Sequence, residues 1–444
     1  GRVALQLVEG DVLLAGGEEN MYHVSRVVRA LARQPLAALI ERNEALLAPV
    51  MAHGRVVTSD ARWQRVLDMN RRVIYSGIDE GGACFGALNR IYHLIWVRDG
   101  AMTTALAARA GNPEFLKLWA PLLLANPSRV RGADGTPVPA FLQMLGTRWT
   151  KSEDDGIFYA MLTLFTHFQT TGDDTLLRGA SWDVLLTALD RFLDRTWDAA
   201  RGVVMSDTRG ETSLLSSPYY GYDAVNGKLR VRLPERSVEH TTIARCASLY
   251  NQVNTYNALR MACELLAQEP ACHAERRARY TAVSAQLQQT ISTTFVNQQG
   301  VLYADLFEYD DGRTAWVNFG DADYWEYAWA VSLGPFFPAL AAQLRSARMV
   351  RETWPAIKQY GYCPWNTLSR MLHEYGMPSA AYRAMLADEL DEALQATTKY
   401  PLRGALTEYW RNPEGWRALP FSAGSLWYSA AGLLLHGLPM GLAV

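Results

Sequence analysis

The sequence predicts an all-α protein with short β excursions. From Met21 onward, apolar residues recur at three- and four-residue steps, as in Leu36, Leu39 and Ile40, which is the spacing of an amphipathic helix. Helical segments follow one another in pairs, and the breaks between them carry turn residues, as in GNPE and TGDD. With 444 residues, 49% of them hydrophobic, the chain can bury a large core, and single toroidal or barrel domains reach this size.

The N-terminal residues differ from the rest. Residues 1–17 alternate between apolar and polar and then turn at Gly16-Gly17, which fits the last strands of a β-domain. We therefore expect a β-strand remnant or N-terminal extension over 1–20 and a single helical domain over 21–444. The helices are predicted at 22–51, 59–77, 91–111, 113–125, 152–171, 179–195, 239–267, 270–295, 322–333, 336–348, 374–395 and 422–436.

Two segments, 197–238 and 396–421, interrupt the helical pattern. A non-helical excursion of this length inside a helical domain is usually functional. The first contains YDAVNG, in which Asn226-Gly227 is a strong hairpin signal. The second is rich in proline, glycine and aromatic residues. We expect functional residues in both segments.

Composition excludes several classes. The net charge of −2 does not favour nucleic acid or an anionic membrane, and the basic residues Arg276, Arg277 and Arg279 fit one solvated helix face. No apolar run is long enough to span a membrane. The given sequence shows no signal-peptide pattern at its start, and we expect either a cytoplasmic or a periplasmic location. Five cysteines without a CxxC pair predict free, mostly buried thiols. No metal or cofactor motif occurs.

Aromatic residues are abundant, with 14 Trp and 21 Tyr. Their flat apolar faces and polar tips suit the faces of sugar rings. The first candidate site is Trp96, Arg98 and Asp99, in IYHLIWVRDGAM at the start of a helix. Such an arginine and aspartate can bind neighbouring sugar hydroxyls. The alternative is a carboxylate that stabilises the helix N-terminus.

A second candidate surrounds the predicted helix start near residue 152. Trp149 precedes the acidic run that contains Asp154 and Asp155. Ser152 and Asp155 resemble a capping box, which is the structural alternative. Because three adjacent acids exceed the needs of a cap, we expect one of them to bind substrate.

The remaining candidates are carboxylates among aromatic residues. Asp223 follows Tyr222, with Glu211 upstream, and an aromatic surrounding keeps a carboxyl protonated, as a general acid requires. Glu408 lies beside Trp410 and could activate water. The structural alternative for the segment of Asp223 is a hairpin turn, and the structural alternative for Glu408 is a surface loop. A fifth cluster contains Tyr324, Trp325 and Glu326 at the start of a predicted helix. Its density of aromatic residues is typical of a sugar subsite.

Two motifs resemble a known group. WVRDGAM (96–102) is similar to the Trp-x-Arg-Asp signature of glucoamylase-type inverting α/α-toroid glycosidases, and EYWRNPEGW with PFSAGSLWYSAAGLLL (408–435) resembles the closing motif of processing α-glucosidases and trehalases. The resemblance implies an (α/α)6 toroid, the six-hairpin glycosidase architecture. It implies Glu408 as general base, Asp223 as general acid, and Arg98 and Asp99 as ligands of the non-reducing sugar. The acid motifs of glucoamylases and trehalases are absent, so Glu211 remains a rival acid.

The sequence therefore predicts a glycoside hydrolase that acts on a carbohydrate substrate, exo-acting and inverting, with two carboxylates and without a metal or other cofactor. The alternatives are a polysaccharide lyase, a sugar epimerase or a phosphorylase on the same toroid. A non-catalytic carbohydrate-binding protein is the alternative outside the enzymes.

Overall fold

A computed structural model describes most of the first three quarters of the chain and a few later positions. The described residues are 33–52, 55–78, 81–84, 95–131, 137–141, 145, 155–207, 221–223, 228–230, 243–268, 272–296, 298, 303–309, 311–318, 386, 387, 390, 391, 394 and 440–443. The chain divides into two compact units, 1–55 with Val444, and 56–443. The predicted division at residue 20 lies outside the described residues and stays a prediction.

The described part of the first unit contains helix α1 (Leu36–Met51). Residues 33–35 are not helical, so the predicted helix over 22–51 is wrong at these positions. Pro35 explains the start of α1, because proline has no backbone N–H to donate and its fixed φ suits the first turn.

Seven α-helices have described bounds in the second unit. Two of them begin at side-chain caps: Asp60 accepts the backbone N–H of Arg62 at 2.8 Å, and Ser248 accepts that of Asn251 at 3.1 Å. Such caps satisfy backbone donors that the first helical turn leaves unpaired. The helices are α2 (Ala61–Ser76), α3 (Val97–Arg109), α4 (Glu114–Ala125), α5 (Gly156–Thr171), α6 (Ala180–Thr196), α7 (Leu249–Leu266) and α8 (Ala274–Thr293).

Helices α3 to α8 form three consecutive hairpins, α3–α4, α5–α6 and α7–α8, and each first helix packs on the next first helix. Helices α3, α5 and α7 are buried on nearly all sides, whereas α4, α6 and α8 bury one side only. A helix that is apolar on one side faces water with the other. The hairpins therefore have an inner row (α3, α5, α7) and an outer row (α4, α6, α8).

The strands are short. They are β1 (Arg55–Thr58), β2 (Ser128–Arg131), β3 (Pro137–Ala140), β4 (Trp197–Asp198), β5 (Val203–Val204), β6 (Gly221–Asp223), β7 (Lys228–Arg230), β8 (Ile243–Ser248), β9 (Tyr303–Tyr309), β10 (Thr314–Asn318) and β11 (Met440–Ala443). The strands β2–β3, β4–β5 and β6–β7 are antiparallel pairs, β8–β9–β10 is an antiparallel sheet, and β1 pairs with β11.

Strand β8 corrects one predicted helix. The sequence predicts a helix over 239–267, but 243–248 is a strand and α7 begins only at Leu249. Pairing with β9 satisfies the backbone of β8, with Cys246 opposite Phe307. Residues 303–318, where no helix is predicted, supply the other two strands of this sheet.

The predicted helices over 322–333, 336–348 and 422–436 lie outside the described residues. Within 374–395, the five described positions are helical, and Leu386 and Leu390 are fully buried. Trp63 of α2 donates its indole N–H to Asp391 at 2.8 Å, so α2 packs beside this helical segment.

The other predictions about composition are tested in the described part. Of the four described cysteines, all free, Cys84 and Cys246 are buried, but Cys272 is exposed. Two of the three arginines of α8 form ion pairs with α6: Arg276 contacts Asp190 at 2.8 Å, and Arg279 contacts Asp194. Among the described helices, none has the length and apolar character that a membrane crossing requires.

Candidate functional site

The candidate site begins at the N-terminus of α3. Trp96 is the last extended residue before this helix, and its carbonyl accepts the backbone N–H of Gly100 at 3.0 Å. The preceding Ile95 carbonyl accepts the N–H of Leu145 at 2.9 Å. Trp96 and Asp99 are each partly exposed. The indole and the carboxylate therefore both belong to the entry to α3, the first on the N-cap residue and the second in the first turn.

Arg98, between these two residues, is largely buried. Its guanidinium Nη1 donates to Asp155 Oδ2 at 2.5 Å, and the two side chains are 7% and 0% exposed. Asp155 precedes α5, the next inner helix. Arg98 and Asp155 therefore form one buried ion pair, although they come from separate predicted clusters and lie 57 positions apart in the chain.

Asp155 does not act as a helix cap. It stands at the N-cap position of α5, but its carboxylate makes no capping hydrogen bond to that helix. The capping-box alternative is thus wrong for Asp155, whose Oδ2 instead accepts hydrogen bonds from Arg98 and Tyr250. Tyr250 of α7 donates its hydroxyl to Asp155 Oδ2 at 2.9 Å. One carboxylate thereby joins three inner helices.

A second tyrosine extends this network. The hydroxyls of Tyr159 and Tyr250 are 3.0 Å apart, and both side chains are buried. Since Tyr250 gives its single proton to Asp155, Tyr159 is the donor between the hydroxyls. Burial, followed by the negative charge of Asp155 and the contact with Tyr159, raises the pKa of Tyr250 well above its ordinary value. Tyr250 therefore stays protonated and remains a donor.

Close helix packing holds α3 in place. A Cβ atom at Gly100 would lie 2.3 Å from Cζ2 of Trp119 in α4, far inside van der Waals contact. Only glycine allows the Trp119 ring to approach α3 at this level. The position of Arg98 and Asp99 along α3 is therefore coupled to the packing of α3 on α4.

The structure describes only the backbone for two of the other predicted site residues. Tyr222 and Asp223 lie in β6, and Asp223 is paired with Lys228 of β7 across a connection of residues 224–227. The antiparallel pairing of β6 with β7 confirms a hairpin here, whereas the predicted turn residues Asn226-Gly227 lie outside the described residues. The predicted site residues that lie outside the described residues are Trp149, Asp154, Glu211, Tyr324, Trp325, Glu326, Glu408 and Trp410.

The sequence did not indicate Tyr159 or Tyr250 as site residues. Tyr159 stands in the apolar run GIFYAML, where an aromatic residue reads as core. Tyr250 stands in LYNQVNTYN, whose polar residues occur all around the helix. Buried polar residues on all sides of a helix are a usable signal, since such groups require partners.

The described residues contain no group of three or more His, Cys, Asp or Glu side chains arranged to bind a metal ion. The polar groups that come together at this site are a carboxylate, a guanidinium and two phenols.

Comparison with known proteins gives a fold but no family. No protein-family model and no curated protein matches the chain, whereas solved structures do. A wild-type glycosidase aligns with a TM-score of 0.51 at 18% identity, over 84% of this chain and 98% of its own. A single-residue variant of a glycosidase has a TM-score of 0.52 with the same identity and coverage. An uncharacterized conserved protein from Thermus thermophilus has a TM-score of 0.53 at 13% identity, over 82% of this chain and 99% of its own. This chain shares their fold, which is mostly helical with short strands.

Proposed function

We propose that this protein is a glycoside hydrolase that cleaves a glycosidic bond of an oligosaccharide or glycoside. The observation that carries the proposal is the entry to α3, where a partly exposed tryptophan and carboxylate, Trp96 and Asp99, adjoin the buried pair of Arg98 and Asp155. An aromatic face beside fixed polar groups is what a sugar ring requires. The fold that the chain shares with solved glycosidases supports the same function, although fold alone does not define chemistry.

In this proposal, Trp96 packs on the sugar ring and Asp99 accepts hydrogen bonds from its hydroxyls. Arg98 donates to the same sugar and is held in place by Asp155. Because Asp155 has no exposed surface, it acts on the substrate through Arg98 and not by direct contact. Rigid support of this kind reduces the entropy that binding costs.

We further propose that the fold is an (α/α)6 toroid, of which α3–α8 supply three hairpins. The remaining predicted binding residues are proposed to line sugar subsites at its mouth: Trp149, Asp154, Tyr222, Tyr324, Trp325, Glu326 and Trp410.

The proposed reaction is exo-acting hydrolysis with inversion. Asp223 protonates the leaving glycosidic oxygen, and Glu408 removes a proton from water as the water oxygen attacks the anomeric carbon from the opposite face. Glu211 is the alternative acid. Asp223 lies in the β6–β7 hairpin, a type of segment that often carries catalytic groups on a rigid scaffold.

The test is a screen of oligosaccharides and glycosides in which NMR follows the anomer of the first product. Once a substrate is found, Glu408→Gln should lower kcat by about 10²–10⁴-fold with the fold intact, since general acid–base catalysis contributes about this much. Asp223→Asn and Glu211→Gln should separate the two candidate acids. Glu114→Gln is a matched control, because Glu114 is an exposed residue of α4.

Several outcomes would contradict the proposal. Near-normal turnover by Glu408→Gln would exclude it as the base, and a first product of retained configuration would exclude inversion. Turnover that requires phosphate and releases a sugar phosphate would identify a phosphorylase. Products that absorb in the ultraviolet as unsaturated uronates would identify a lyase. Sugar binding that is unaffected by Glu408→Gln, without turnover, would identify a binding protein.

A further inference from the structure

Helix α7 carries two asparagines that the candidate site does not use. Asn254 and Asn257 are each 0% exposed. The nitrogen and the oxygen of both amides have no hydrogen-bond partner among the described residues. The neighbouring Gln252 is different, because its amide accepts from the backbone N–H of Val204 at 2.7 Å and donates to the carbonyl of Val204 at 2.8 Å.

Helix α5 carries the same kind of residue. Thr163 and Thr166 are 0% and 1% exposed, and their hydroxyls also lack a hydrogen-bond partner within the described part of the chain. Helical threonines usually donate to the carbonyl one turn earlier. Thr170 does so, with a 2.7 Å bond to the carbonyl of Thr166. The hydroxyls of Thr163 and Thr166 are therefore directed elsewhere.

The helical repeat, counted from Tyr159 and Tyr250, places these residues on the sides of α5 and α7 that face each other. The contact between Tyr159 and Tyr250 at 3.0 Å, with Asp155 also bonded to Tyr250, brings the two N-termini together. With about 3.6 residues per turn, Thr163 follows Tyr159 by about one turn on the same side. Asn254 follows Tyr250 in the same way. Since α5 and α7 pack on each other, the polar residues follow the tyrosines along the contact between the two helices, toward the C-terminal ends.

We call Thr163, Thr166, Asn254 and Asn257 the α5–α7 seam. A buried polar atom that stays without a hydrogen bond lowers the folding equilibrium constant by about tenfold or more. Native proteins rarely keep several such atoms together, and each one calls for an explanation.

We propose that the α5–α7 seam is a binding site for internal water molecules, which bridge the asparagine amides of α7 to the threonine hydroxyls of α5. Water fits because it both donates and accepts, and the seam presents unmatched donors and unmatched acceptors. A cation would satisfy only the oxygens and would leave the amide N–H groups unpaired. A sugar cannot reach the seam, since all four residues are closed to solvent. Buried water typically makes about three hydrogen bonds to such groups.

The direct test is a crystal structure of the whole chain at about 1.5 Å resolution. We expect density for water about 2.7–3.2 Å from the amides of Asn254 and Asn257 and from a threonine hydroxyl. Direct bonds between the asparagines and threonines, with no density between them, would overturn the proposal. Density with contacts of about 2.3–2.6 Å to oxygens only would indicate a metal ion and overturn it as well.

Thermal unfolding gives an independent test through the sign of the change. Thr163→Val and Asn254→Leu keep the size of the side chain but remove its polar group. If water binds there, each variant removes one hydrogen-bond partner of a bound water molecule and should lower Tm by about 1–3 °C. If the atoms are dry, each variant removes an unpaired group and should raise Tm, and a rise or no change in both variants would refute the site.

Thr196→Val is the matched control for the threonine. This buried threonine of α6 donates to the carbonyl of Phe192 at 2.7 Å, so its loss should lower Tm whether or not the seam is hydrated. The control shows that the measurement detects the loss of one buried hydroxyl. A decrease in Tm for Thr163→Val of similar size to that for Thr196→Val would support bound water.

Discussion

Replacement of Asp155 by asparagine removes the negative member of a buried ion pair. Its carboxylate is 0% exposed and lies 2.5 Å from Arg98, whose side chain is 7% exposed. Arg98 would lose this counter-charge in a region that water does not reach. Breaking a buried pair by removal of one partner costs about 3–5 kcal/mol. We therefore expect Asp155→Asn to lower the free energy of unfolding by this amount.

A surface pair of similar geometry provides the control. Glu114 and Lys117 of α4 are 2.8 Å apart, but their side chains are 49% and 47% exposed. Water screens this pair, so Glu114→Gln should change the free energy of unfolding by less than about 0.5 kcal/mol. Both variants can be measured by equilibrium unfolding in urea, followed by far-UV circular dichroism.

The reasoning also predicts the behaviour of a double variant. Arg98→Met combined with Asp155→Asn removes both charges, so it should recover a large part of the stability that Asp155→Asn loses. A loss below about 1 kcal/mol for Asp155→Asn would show that the pair is not effectively buried. A double variant whose loss equals the sum of the two single losses would show that Arg98 and Asp155 contribute independently.

Three further changes test other contacts. Gly100→Ala forces a Cβ onto Trp119 and should cost about 1–3 kcal/mol in urea unfolding. Gly179→Ala, at the N-cap of α6, meets nothing within 4 Å, so it should cost only the difference between the two residues at an N-cap, less than about 1 kcal/mol. Burial lowers the pKa of His167 in the folded protein. As the pH falls, the unfolded chain therefore binds a proton at this histidine before the folded protein does. Stability should therefore fall from the ordinary histidine pKa down to the lowered one, and a pH series of His167→Leu should lack that decrease. Tyr250→Phe loses a hydrogen bond to a carboxylate and should cost about 1.5–3 kcal/mol; an unchanged midpoint would exclude that bond.

The helices of the hairpins are largely predictable from local pattern. Helix α4 is predicted at 113–125 and begins at Glu114; α6 is predicted at 179–195 and ends at Thr196. Their apolar spacing and the glycine and proline residues at their ends are local signals. Each signal acts within one or two turns, so it can be read without knowledge of the partners.

Strand β8 is not predictable in this way. Its pairing partner β9 lies about 60 residues later in the chain, and β propensity depends strongly on such neighbours. Residues 243–248, IARCAS, contain alanine and arginine, which favour helices in isolation. The sheet, and not the local sequence, keeps this segment extended until Ser248 caps α7.

The candidate site shows the same limit. Arg98 and Asp155 are both recognised from the sequence, but as members of separate clusters, with Asp99 as the expected neighbour of Arg98. Sequence reveals neighbours along the chain, whereas the bond between Arg98 and Asp155 depends on the packing of α3 on α5. Tyr250 is missed for the same reason, since only the packing of α7 brings its hydroxyl to Asp155.

The network also bears on the division of chemical roles. Arg98, Asp155 and Tyr250 each lie within two residues of the start of an inner helix, so their bonds bring three helix N-termini together. Helix N-termini favour negative charge, and Asp99 stands in the first turn of one of them. Carboxylates held in such a place are suited to accept hydrogen bonds from neutral sugar hydroxyls. A general acid needs the opposite surroundings, which favour the protonated form. The proton donor should therefore come from a segment outside these helix starts, and the proposed acid, Asp223 of the β6–β7 hairpin, meets this requirement.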